Sequence, residues 1–84
     1  MESSSQTTID VELAKQWLHD FSAATRTNVG EWTVKPWGKS VRFERIPDLP
    51  SARSLSEFLR KQYGVASYVY DPIDNGYEVP VLPA

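Results

Sequence analysis

Cysteine is absent from this 84-residue chain, and histidine and methionine each occur once. Without thiols there is no disulfide, no thiolate zinc site and no cysteine nucleophile, a usage that fits a reducing compartment. Stability must come from packing. The lone His19 leaves only oxygen ligands for a metal and falls on the polar side of a helical pattern, where solvation is the ordinary state of a histidine. Long apolar runs are missing too. No stretch approaches the roughly 18 apolar residues of a membrane span, and the opening "MESSSQTT" has no basic region followed by an apolar one. A soluble, cytoplasmic protein with no membrane contact is expected.

The motifs of common catalytic sites are missing as well. There is no Gly-rich phosphate loop, no nucleophile elbow and no His-Glu-x-x-His pattern. "DPIDNG", Asp71 to Gly76, begins like a calcium loop but lacks a ligand at its third position and a closing glutamate at its twelfth. Those residues suit a hairpin turn better. Two layers built from so short a chain seldom enclose a substrate pocket. No catalytic residue, metal or cofactor is expected, and an enzyme is not the expected reading.

What is present is a folding composition: 40% hydrophobic, 12% aromatic and 24% charged residues, far from the profile of a disordered chain. The length suits one compact domain, placed at 8–84 behind a polar tail at 1–7. The net charge of −2 conceals segments. Residues 1–25 sum to −3, residues 26–61 to +4 and residues 62–84 to −3, an arrangement that gives either two faces of opposite sign or charges that interleave on folding.

From Asp10, the residues Val11, Ala14, Trp17, Leu18 and Phe21 recur at helical spacing, with Asp10 as N-cap and Asn28 or Gly30 available for the turn beyond residue 25. "EWTVK" and "SVRFERI" alternate like half-buried strands around "PWGK", so a hairpin is expected. "IPDLPS" reads as a non-repetitive connection. "SLSE", Ser54 to Glu57, is a capping box before the stripe Leu55, Phe58, Leu59 and Tyr63, with Gly64 as terminator. "VASYVYD" and "YEVPVL" read as a second hairpin around Asp74-Asn75-Gly76, and Pro80 places the last strand at an edge or a bulge.

The two halves share their element order, and an offset of 36 sets Trp32 over Tyr68, Val34 over Tyr70, Pro36 over Pro72 and Phe43 over Val79. An internal duplication and two merely similar hairpins are both consistent with this. The expected fold is α+β: a two-layer sandwich in αββ-αββ order, with a four-stranded antiparallel sheet and two helices on one face. The helices would cover Trp32, Val34, Val41, Phe43, Tyr68, Tyr70, Tyr77 and Val79. Thr33, Lys35, Arg42 and Glu44, with Val69, Asp71, Glu78 and Pro80, would face water.

Binding is then the remaining class of function. Trp37, expected at a turn tip between Lys35 and Lys39, has the makings of a hot spot, and Lys35, Trp37, Lys39, Arg42 and Arg45 form the candidate partner-binding set. In a regular strand Arg42 and Arg45 point to opposite faces. The leading expectation is a small non-enzymatic protein-binding module that occupies a partner's surface, in the manner of inhibitors, accessory proteins and immunity proteins of phages and mobile elements. A second is nucleic-acid binding through the basic residues of 26–61 with Trp37 stacking on a base. A pI near 5.2 and aromatics directed under the helices oppose it. A third is a self-associating structural or regulatory subunit.

Overall fold

The computed structural model describes residues 9–72 and 76–82; the tail at 1–7 and most of the Asp74-Asn75-Gly76 turn lie outside them. Helix α1 spans Val11–Thr25. Its N-cap is Asp10, whose carboxylate accepts the Leu13 N–H at 2.8 Å and so satisfies a donor that the first turn leaves free. Ala14, Trp17, Leu18 and Phe21 are its buried residues, the i, i+3, i+4, i+7 stripe of an amphipathic helix. The left-handed position at its end falls on Arg26, φ 56, rather than on Asn28 or Gly30. Hydroxyls fix the end there: Thr25 Oγ1 donates to the Phe21 carbonyl at 2.8 Å and Ser22 Oγ to the Thr27 carbonyl at 2.6 Å.

Strands β1 (Thr33–Trp37) and β2 (Ser40–Ile46) form the expected antiparallel hairpin. Its turn is tighter than the sequence suggested. Trp37 pairs with Ser40, so only Gly38 and Lys39 lie between the strands, and Gly38 supplies the positive φ of 63. Pro36 and Trp37 therefore belong to the strand. Counting alternately from the closing pair, Pro36 occupies a position whose absent N–H would point away from β2, so an edge strand tolerates it.

Helix α2 spans Leu49–Tyr63 and starts earlier than the capping box at Ser54 implied. Asp48 is the N-cap, accepting the Ser51 N–H at 2.9 Å. Pro50 sits in the first turn, where no N–H is needed. Two prolines that look like a break thus serve as a helix start. The other end is as expected: Gly64 has φ 69 and donates to the Arg60 carbonyl at 3.0 Å.

Strand β3 (Tyr77–Pro80) pairs with β2, giving a three-stranded antiparallel sheet in the order β1-β2-β3. The expected fourth strand and the αββ-αββ order are not found among the described residues. Residues 67–70 run beside residues 78–81 with two isolated bridges, Ser67↔Val81 and Tyr70↔Glu78, rather than as a continuous strand. Pro80 explains the interruption. Tyr70 and Glu78 exchange both bonds at 2.8 Å, and Leu82 donates to the Ala66 carbonyl at 2.8 Å. Between them Tyr68 donates to the Pro80 carbonyl at 3.3 Å, but proline has no N–H to return. As expected, Pro80 lies in an edge strand of the sheet, β3, and its missing N–H keeps residues 67–70 from extending that sheet by a further strand.

Both helices pack on one side of the sheet. There Phe21, Leu55 and Leu59 meet Val41, Phe43, Ile46, Val79 and Val81, each at 0% exposure. Trp32, Val34 and Tyr77 join this core as expected. Tyr68 and Tyr70 do not: they are 44% and 51% exposed, and Val69 packs inward in their place. In "VASYVYD" both alternation phases carry apolar side chains, Val65 and Val69 in one and Tyr68 and Tyr70 in the other, so periodicity does not decide between them. Pairing chooses, because Ser67 lies opposite the fully buried Val81. Ser67 then points at α2, where its hydroxyl meets that of Ser56 at 2.6 Å. Trp32 and Tyr68, matched at the offset of 36, thus face opposite sides of the sheet, which removes the support for a duplication.

Candidate functional site

The uncovered face of the sheet holds the candidate residues and several that sequence reasoning placed elsewhere. Its shape depends on a bulge in β2. Phe43 pairs with Val79, but Ile46 pairs with Tyr77, so β2 carries an extra residue there. Arg45 takes the left-handed φ of 65 that such a bulge uses. The consequence reaches two side chains. Ile46 turns inward to 0% exposure, and Arg45 comes to line the same depression as Arg42, against the expectation that the two arginines face opposite ways.

That depression, about 590 Å³, is lined by Lys35, Arg42 and Arg45 together with Glu31, Glu44 and Glu78. Its charges are matched. Glu44, only 9% exposed, lies 2.6 Å from an Arg42 guanidinium nitrogen and 3.6 Å from Lys35 Nζ, and Arg42 Nε lies 3.6 Å from Glu78. A carboxylate so far from water needs such partners, since an isolated buried charge is strongly disfavoured. Arg42 therefore pairs closely with the buried Glu44 and lies within ion-pair range of Glu78, although its Nε makes no hydrogen bond among the described residues. Among the described residues no group of three potential metal ligands occurs.

A second groove of about 260 Å³ adjoins the first across Arg42 and Glu78, and Trp37, Tyr68, Tyr70 and Pro80 complete its lining. Trp37 does not project from a turn tip. It is half-buried at the end of β1, with its ring centroid 6.4 Å from that of Tyr68 at an interplanar angle of 71°, an edge-to-face contact. Lys39 lies apart in the hairpin turn, exposed, with its carbonyl accepting the Ile9 N–H at 3.3 Å. The structure thus unites Lys35, Trp37, Arg42 and Arg45 along one face and leaves Lys39 at its end. It adds Tyr68, Tyr70, Glu44 and Glu78.

The other basic residues of 26–61 lie elsewhere. Arg26 caps α1, and Arg53, Arg60 and Lys61 are exposed on α2, in the helical layer. His19 is exposed on α1. No helix among the described residues is long and apolar enough to cross a membrane. No protein-family model, curated protein or solved structure matches the chain.

Proposed function

We propose that this protein is a small non-enzymatic binding module that docks a partner protein on the open face of its sheet, with Trp37, Tyr68 and Tyr70 as anchors. The observation that carries it is the aromatic groove: three large rings gathered on the sheet face opposite α1 and α2. Rigid aromatics supply much contact area at small entropic cost, and they dominate the hot spots of interfaces. Matched ion pairs beside them set orientation rather than raw affinity. By occupying a partner's surface, such a module acts as an inhibitor, accessory or immunity-type protein acts. Nucleic acid gains stacking surfaces from this arrangement, but the basic residues are divided between two layers and those beside the rings are held by carboxylates. The counterion release that drives phosphate binding has little to draw on.

Tyr70 is the first residue to test, because it is the most exposed of the three, whereas removing Trp37 also removes a packing contact. The immobilised chain, its Tyr68→Ala and Tyr70→Ala variants, and a Lys61→Ala control on α2 would be exposed to lysate of the native source with and without nuclease treatment. A single protein retained in stoichiometric amount by the wild type and the control, and lost with either tyrosine, is the expected result. Retention indifferent to both tyrosines would overturn the open face as the docking surface. Retention abolished by nuclease would transfer the face to nucleic acid, and concentration-dependent sedimentation lost with Tyr70→Ala would transfer it to a second copy.

A further inference from the structure

The aromatic groove also points to the kind of segment it receives, an inference that rests on the docking face just proposed. We infer that the Trp37–Tyr68–Tyr70 groove binds a proline-rich segment of the partner in the polyproline II conformation. Pro80 and the Arg42–Glu78 pair complete its lining. The Trp37 and Tyr68 rings, 6.4 Å apart and steeply inclined, form one notch. Tyr70 follows Tyr68 two positions along an extended chain, about 6.7 Å further, and adds a third ring to the same lining. A polyproline II helix advances about 3.1 Å per residue, so about two of its residues span the step from Tyr68 to Tyr70 and lay pyrrolidine faces against the rings.

Hydrogen-bonding chemistry points the same way. A proline-rich strand has few N–H groups and a row of solvated carbonyls, so it needs donors from its receptor. The residues that line the groove carry donors, the indole N–H of Trp37 and the hydroxyls of Tyr68 and Tyr70, the last two residues being 44% and 51% exposed. An extended peptide adding itself as a strand at β1 would instead meet Pro36, which has no N–H to offer at that edge. Charge agrees as well. The adjoining depression balances its bases with acids, and Arg42 is already shared between Glu44 and Glu78. An uncharged ligand suits that surface, and a polyanion does not.

The test is a titration of the full isotope-labelled chain with decaproline, followed by amide and indole chemical shifts, with a glycine-serine decapeptide and an oligothymidine as comparators. Saturable shifts centred on Trp37, Tyr68 and Tyr70 are expected from decaproline and from neither comparator. Tyr70→Ala should weaken the binding at least tenfold with an unchanged melting temperature, while Lys61→Ala leaves it unaltered. Tyr70→Phe, which keeps the ring, should retain most of the affinity. Absence of shifts at millimolar decaproline, equal shifts from the glycine-serine peptide, stronger ones from oligothymidine, or indifference to Tyr70→Ala would each overturn the inference. The two proposals fail separately. If decaproline leaves the groove unmoved while capture of a partner still depends on Tyr70, docking stands and only the proline-rich ligand falls.

Discussion

Single positions in this protein carry constraints that composition does not advertise. Gly76 has φ 78, and a Cβ there would lie 2.7 Å from the Ile46 carbonyl oxygen, a backbone atom that cannot swing aside. Gly76→Ala therefore meets both a strained conformation and a clash, and thermal unfolding should register a loss of about 1–3 kcal/mol. Tyr63 shows how a residue's chemistry follows from its neighbours. Its ring stacks on Trp17 with centroids 4.8 Å apart, and its hydroxyl donates to Asp20 Oδ2 at 2.9 Å. Burial, then the bond and charge of Asp20, push its pKa up to about 12 from an ordinary 10.0. A group raised in the folded state stabilises below its unfolded pKa and loses that contribution as pH climbs through the folded one. Melting temperatures should accordingly fall between pH 10 and 12, and Tyr63→Phe should flatten that part of the profile while costing stability at neutral pH. The helical stripe made Tyr63 a core candidate. Its partner Asp20, in the other helix, could not be read from the chain.

At the scale of elements, boundaries were less legible than the elements themselves. Both helices and the first hairpin follow from periodicity, but α2 begins at Asp48 because a carboxylate cap followed by proline in the first turn starts a helix earlier than the capping box does. Hydrogen bonds from Ser51 hold the Asp48 carboxyl below its usual range. Asp48→Ala removes the N-cap and should lower the midpoint of chemical denaturation, whereas Ser54→Ala, inside the helix, should leave it nearly unchanged. Pro80 governs a neighbour rather than its own strand. Pro80→Ala provides the donor missing opposite Tyr68, and amide exchange at Tyr68 and Tyr70 should slow as residues 67–70 join the sheet as a continuous strand.

For the whole molecule, the decisive event is the phase in which residues 65–71 lie against β3. One phase buries Tyr68 and Tyr70 and leaves a plain charged surface; the other, which the structure adopts, buries Val69 and creates an aromatic groove. Val69→Ala should accordingly destabilise the fold by about 1 kcal/mol or more through lost packing, and Tyr70→Ala should leave thermal stability within about 0.5 kcal/mol. The reverse order would return the tyrosines to the core. Sequence alone determined the two amphipathic helices, the hairpin of residues 33–46, the glycine that ends α2 and the α+β class, because caps, turn residues and apolar periodicity act within a few residues of one another. Tertiary structure decided the rest. The left-handed bulge at Arg45, the ion pairs that bury Glu44, and the outward turn of Tyr68 and Tyr70 all depend on which strand lies beside which, and pairing between distant segments leaves no mark on local periodicity.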